Sequence, residues 1–272
     1  MIPGSKILSS MVRHALHESV HRSASLATVV SAVGLTLLLV VPLRMRDGEL
    51  FYWSQRAPST AVMAREFSSI VIGMGQTIWV FLPLLAVAGL LASSLQKGWI
   101  ELLVSKPMPR ITILGTVYLA GLILWLLSVG LMVASLAATF RWMLHVPAMP
   151  LLKAFAVLTL FFAVELAFLV LVAVARPNVM IASAATFAMT FIASLMGARA
   201  MIARYFDSRL VERALDGIYY ILPKVNELLS LTQRVASTSE ALITHWMPLW
   251  SSALFGVACL IIAGWLLERK DF

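Results

Sequence analysis

The chain has a single cysteine, few charged residues and long stretches with no charge at all. Each scarcity removes a class of protein. Only 12% of the 272 residues are charged while 61% are hydrophobic, and the mean hydropathy is +0.92, too apolar for a soluble domain. At this length there is room for several membrane spans but not for a separate catalytic domain. Cys259 lies inside an apolar run and has no second cysteine to pair with, so it carries no information on redox compartment. The sequence contains no Gly-x-x-x-x-Gly-Lys-Ser/Thr phosphate cradle, no His-Glu-x-x-His, no cysteine pair and no Gly-x-Ser-x-Gly. No cofactor is expected, and any ATPase the chain works with must be a separate polypeptide. Acidic residues are also sparse, 13 Asp and Glu against 21 Lys and Arg, a net charge of +8. In so apolar a chain that balance points to anionic lipid headgroups as the partner and not to nucleic acid.

What is present is a series of six apolar runs, at 26–43, 70–95, 111–140, 154–175, 179–198 and 247–267. Each is about 20 residues or longer, enough to cross about 30 Å of hydrocarbon at about 1.5 Å per residue. The expected fold is an all-α bundle of six transmembrane helices with both termini on one side. The run 26–43 is too long for a typical signal-peptide core, and Pro42-Leu43-Arg44 follows it where a cleavage site would need small residues, so it reads as a retained first span. Residues 1–24 are polar and basic around a stripe of Leu8, Met11, Val12, Ala15, Leu16 and Val20, the pattern of an interfacial helix. Arg176-Pro177-Asn178 is the whole connection between the fourth and fifth spans, which predicts a tight hairpin.

The longest connection, 199–246, reads as helical and extracytoplasmic. Ile202, Phe206, Leu210, Ala214 and Ile218 mark an apolar face, with Arg204/Asp207, Arg209/Glu212 and Arg213/Asp216 as i,i+3 ion-pair candidates opposite it. Pro223 ends that surface helix, and a shorter one is expected around 226–236.

Residues 94–110 form the one compact polar interruption, Ser-Leu-Gln-Lys-Gly-Trp-Ile-Glu-Leu-Leu-Val-Ser-Lys-Pro-Met-Pro-Arg. Glu101 to Ser105 predicts a turn of helix. Lys106 falls where a helix C-terminus favours a cation, and Pro107 and Pro109 stop it. A short amphipathic helix lying across a membrane surface fits this pattern.

Glu101-Leu102-Leu103-Val104-Ser105-Lys106-Pro107, with Arg110 after it, resembles the "ELLLSKPxxR" segment of ABC-2-type transporter permeases, in particular the subgroup linked to multicopper-enzyme maturation. The C-terminal Leu267-Glu268-Arg269-Lys270-Asp271-Phe272 is similar to the tail with which many of these permeases end. The match is specific over about fifteen residues, and the six-span layout extends it loosely to the whole chain. The chain departs from the family pattern at Gln96-Lys97, where acidic residues usually precede the glycine, and at Gly115-Thr116, where Gly-Lys is common.

The resemblance implies a permease subunit coupled to a cytoplasmic ABC ATPase and working as a homodimer or pseudo-dimer. It also implies that 96–110 is the coupling segment. Glu101, Lys106 and Arg110 would then supply polar contacts to the ATPase, Trp99, Leu102 and Leu103 would anchor the helix, and Pro107 would end it. The implied location is the cell (inner) membrane, multi-pass, with both termini cytoplasmic. Raw counts of Lys and Arg do not favour that orientation. Their density on the short segments does, and short segments are the ones the positive-inside rule weighs.

Three further groups invite chemistry. His14, His17 and His21 share one helical face and could clamp a transition metal, against the plainer reading of polar residues on an interfacial helix. Met143 and Met149 suggest a copper path no more strongly than they suggest adaptable packing. Glu165 is the one ionisable residue deep within a span, costly there unless it faces the bundle interior, pairs or is protonated. It reads either as a substrate, proton or gate site, or as a structural hydrogen bond to a neighbouring helix through Thr159, Ser128 or Ser135. A membrane-embedded enzyme built on Glu165 and the histidines, and a non-transporting anchor for a maturation complex, are the alternatives to a permease. The substrate is open.

Overall fold

In the computed structural model the described residues are 30, 33–34, 36–37, 40–46, 49–52, 55–56, 59–94, 110–206, 209–237 and 246–269. They build a predominantly helical membrane protein. Five helical segments are long and apolar enough to cross a membrane: Thr60–Gly89, Ile111–Trp142, Met149–Ala175, Val179–Phe206 and Met247–Glu268. The expected interfacial helix at 1–24 and most of the expected span at 26–43 lie outside the described residues.

The helices are α1 (Thr60–Ser94), α2 (Arg110–Trp142), α3 (Met149–Ala175), α4 (Val179–Leu195), α5 (Arg199–Phe206), α6 (Arg209–Ile221), α7 (Val225–Ser237) and α8 (Met247–Glu268), with a 3-10 turn at Met196–Ala198 between α4 and α5. Before α1 comes a small antiparallel sheet that the run-by-run reading did not anticipate, β1 (Leu43–Arg46), β2 (Glu49–Tyr52) and β3 (Gln55–Arg56), ordered β1-β2-β3. Leu43 pairs with Tyr52 and Arg46 with Glu49 across a two-residue connection whose sequence is Asp47-Gly48, a strong hairpin signal. Tyr52 packs edge-on against Phe67 of α1, ring centroids 5.4 Å apart, which docks the sheet on the bundle.

Local sequence chemistry sets the helix ends. Ser59 caps α1, its hydroxyl accepting from the Val62 N–H at 3.2 Å. The helix therefore begins ten residues before the apolar run does, and Arg65 and Glu66 lie exposed on its first turns. His145 adopts a left-handed backbone, φ 53°, just past α2, and the Val146 N–H turns back to the Phe140 carbonyl at 2.9 Å. Asn178 caps α4, its side chain accepting from Met180 N–H at 2.9 Å and Ile181 N–H at 3.2 Å. The tight hairpin expected at 176–178 thus joins α3 to α4.

Helix α3 is apolar all round and is the centre of the molecule, packing against α1, α2, α4, α7 and α8. Trp125 of α2 stacks on Phe162, centroids 4.4 Å apart, and its indole N–H donates to Thr159 at 3.2 Å. On the opposite side, Gly256 lets α8 approach closely: a Cβ there would sit 3.5 Å from the Val164 Cα. Near the start of α2, Ile111 packs against Gly264 of α8. The C-terminal end of α8 therefore lies at the same end of the bundle as the start of α2, while the α2–α3 turn lies at the other.

The described part of the connection 199–246 is helical, but the one surface helix expected over 202–218 is two helices, α5 and α6, paired through Arg199 and Asp216. The shorter helix expected around 226–236, α7, is drawn into the bundle. At 13 residues, α7 is too short to cross a membrane, yet Val225, Leu228, Leu231, Thr232, Val235 and Ala236 are buried against α3, α1 and α4. Val225 and Leu229 line a cleft together with Phe161, midway along α3, and Ala236 lines another together with Phe140 and Leu151 beside the α2–α3 turn. The corner that turns the chain into α7 is a polar lock. Lys224, only 2% exposed, donates from Nζ to the Tyr219 carbonyl and, at 3.1 Å, to the Leu222 carbonyl, closing the end of α6. Its backbone N–H donates to Ser252 of α8 at 2.9 Å. Tyr219 donates to Glu227, and burial, reinforced by that carboxylate, pushes its phenol up to about 12. Of the expected ion pairs, Asp216 pairs instead with Arg199, 3.0 Å away across the α5–α6 hairpin.

One close approach in this corner carries a prediction. A Cβ on Gly197 would lie 2.2 Å from Asn226 Nδ2 and 2.9 Å from its Cβ. Gly197→Ala should therefore cost about 1–3 kcal/mol by overpacking, read as a lower thermal midpoint in detergent. Adding Asn226→Ala should recover part of that loss. A double variant no more stable than Gly197→Ala would show that this contact is not the cause.

Candidate functional site

Glu165 sits on α3, where every neighbouring position is apolar, and is fully buried. The carboxyl faces α4: Oε2 lies 2.7 Å from Thr190 Oγ1. Thr190 Oγ1 also lies 2.9 Å from the Thr186 carbonyl one turn earlier. A hydroxyl has a single proton to donate, and the carbonyl only accepts. Both contacts are satisfied together when a carboxylic acid donates to Thr190 and Thr190 donates to Thr186. The geometry thus has a defined place for a proton on the carboxyl. Oε1 has no hydrogen-bond partner and, with Ser183 Oγ, is one of two such buried side-chain atoms among the described residues. Cys259 of α8 is also buried.

The sequence reading named Thr159, Ser128 and Ser135 as partners for Glu165, and the structure corrects it. Thr159 is engaged by Trp125 and the Phe155 carbonyl, while Ser128 and Ser135 donate to carbonyls of their own helix, at 2.8 and 2.7 Å. The real partner was within reach of the pattern. Ala182 and Thr186 mark the face of α4 that packs inward, and Thr190 is the next residue on it at the same four-residue step. Continuing in both directions, Ser183, Thr186, Thr190 and Ser194 line one side of α4, and Ser194 reaches Asn226 of α7 at 3.5 Å. A polar lane therefore runs beside Glu165 through an otherwise apolar bundle.

Thr190 also lies at the edge of a cleft of 200 Å³ between α1, α3, α4 and α7. Phe81, Phe161, Phe187 and Phe191 supply its walls, and Phe81 and Phe187 meet across it with centroids 5.3 Å apart. Phe187 and Phe191 are exposed, so the cleft opens sideways where lipid would lie. An apolar group entering it would meet aromatic faces first and a hydroxyl backed by a carboxyl behind them.

The other sequence-predicted site residues divide simply. Arg110 is the first residue of α2. Trp99, Glu101, Leu102, Leu103, Lys106 and Pro107 lie outside the described residues, as do His14, His17 and His21. Among the described residues no three His, Cys, Asp or Glu side chains gather to hold a metal ion. Met149 is exposed and Met143 packs on the core. No protein-family model matches the chain, and no curated protein matches its sequence.

Proposed function

We propose that the chain is the permease subunit of an ABC-2-type exporter in the cell (inner) membrane. It has six spans, cytoplasmic termini and a dimeric arrangement, and it is driven by a separate cytoplasmic ATPase. The observation that carries this reading is the run Glu101-Leu102-Leu103-Val104-Ser105-Lys106-Pro107 with Arg110, sited between two long apolar helices. Support comes from the placement of its flanks: α1 leads into the segment, Arg110 opens α2, and α8 returns to the same end of the bundle. A helix over 26–43 would bring the N-terminus to that end as well.

In this reading the bundle has two states, and closure of the ATPase shifts their balance through 96–110. The helices that would move against one another are those that meet at Glu165, and the side-opening cleft beside Thr190 is the natural entry for cargo. Among the described residues, a membrane-embedded enzyme built on Glu165 gains no histidine beside the carboxyl, since His145 lies at the α2–α3 turn.

Capture tests the proposal. The tagged chain purified from its native membrane should bring an ABC ATPase with it, and an intact bundle that brings no nucleotide-hydrolysing partner would overturn the reading. Topology can be checked separately. In a Cys259→Ser background, Ser105→Cys and Ser237→Cys should react with an impermeant thiol reagent from opposite faces of the membrane. Reaction of both from one face would overturn the span count between them.

A further inference from the structure

The α5–α6 hairpin carries a second feature that the permease reading does not use. A cleft of 480 Å³ opens between the two helices, within the range of small-molecule sites, about 300–1,000 Å³. Three arginines line it, Arg199, Arg204 and Arg209, together with Glu212 and Asp216. Asp216 is taken by Arg199, whose guanidinium also stacks 3.6 Å from the centre of the Tyr219 ring, so Arg199 is held as a fixed wall. Among the described lining residues, Arg204 and Arg209 are left with one carboxylate, Glu212, which makes that lining net positive and rich in the planar donors that recognise phosphate.

The outer surface of the same hairpin is apolar and unpartnered: Met201, Tyr205, Phe206 and Leu210 are all more than 60% exposed. The hairpin continues directly from α4, at the bundle end where Trp142, Trp246 and Trp250 are exposed, the tryptophan pattern of a membrane–water interface. An arginine-lined cleft with apolar flanks at headgroup level matches one ligand chemistry on both counts.

We propose that the α5–α6 cleft binds the phosphate of an anionic phospholipid, with the acyl chains lying against Met201, Phe206 and Leu210. The free-anion alternative shares the phosphate chemistry but has no use for the apolar flanks. This site does not depend on the ATPase assignment.

The test uses the full-length protein in detergent and short-chain phosphatidylglycerol as the probe, with bound lipid measured by native mass spectrometry. Wild type should hold phosphatidylglycerol in preference to phosphatidylcholine. The R204Q/R209Q variant should bind phosphatidylglycerol at least tenfold more weakly, with an unchanged thermal midpoint. The R141Q/R213Q variant removes the same charge from residues that do not line the cleft, and it should bind as wild type does. Inorganic phosphate and glycerol phosphate at matched concentration should fail to displace the lipid. Equal binding by R204Q/R209Q, equal loss in R141Q/R213Q, or full displacement by inorganic phosphate would each overturn the proposal.

Discussion

Replacing residues 94–110 with a Gly/Ser linker of equal length is expected to abolish association with the ATPase while leaving the bundle folded. The packing of α3 against α1, α2, α4, α7 and α8 is made between those helices themselves, so the loss of the segment is expected to register in partner capture and not in thermal stability. Point variants should separate holding from transmitting. Glu101→Ala removes a charge-assisted contact of about 1.5–3 kcal/mol if it is buried on docking, which is roughly a ten- to hundredfold weaker association. Pro107→Ala deletes no polar side chain but should free the end of the helix that the sequence predicts there. Binding should survive it, while the permease's effect on ATP turnover falls. Each variant must first reach the membrane at the wild-type level. ATPase capture undiminished by the linker would remove 96–110 as the contact and turn attention to the interfacial helix expected at 1–24.

The elements legible in the sequence were those governed by local chemistry. The five apolar runs that fall in the described residues became helices because length and the absence of charge decide that without tertiary information. The α3–α4 hairpin was legible because Pro177 and Asn178 leave the chain no other course there. What the runs hid was long-range. Helix α7 carries Val225, Leu228, Leu231 and Val235 at helical spacing, the pattern of a half-buried helix on any surface. Only its position against α3 and α1 shows that the buried face is turned into the bundle. The Arg199–Asp216 pair, seventeen residues apart, was hidden for the same reason: i,i+3 rules see along one helix, and this contact crosses a hairpin. Strands β1–β3 were hidden by their shortness, although Asp47-Gly48 was a usable signal.

Glu165→Gln is the variant expected to separate function from structure most cleanly. The glutamine has the shape of the neutral acid, and its amide can donate to Thr190 while Thr190 keeps its bond to the Thr186 carbonyl. Stability should therefore stay within about 1 kcal/mol of wild type. Thr190→Val is the structural counterpart. It keeps the volume but strips the carboxyl of its one partner, and should cost about 1–3 kcal/mol in a site where Oε1 already has none. The two variants should diverge in the functional readout. If the carboxyl works by gaining and losing a proton as α3 and α4 move, Glu165→Gln freezes that step: partner-stimulated ATP turnover should fall to the level of the free ATPase and lose its dependence on pH. Thr190→Val leaves the ionisable group in place and should retain turnover in proportion to the protein that stays folded. Measured side by side in nanodiscs from pH 5 to 9, equal turnover by Glu165→Gln and wild type at every pH would reduce Glu165 to a structural hydrogen bond. A loss confined to Thr190→Val would say the same.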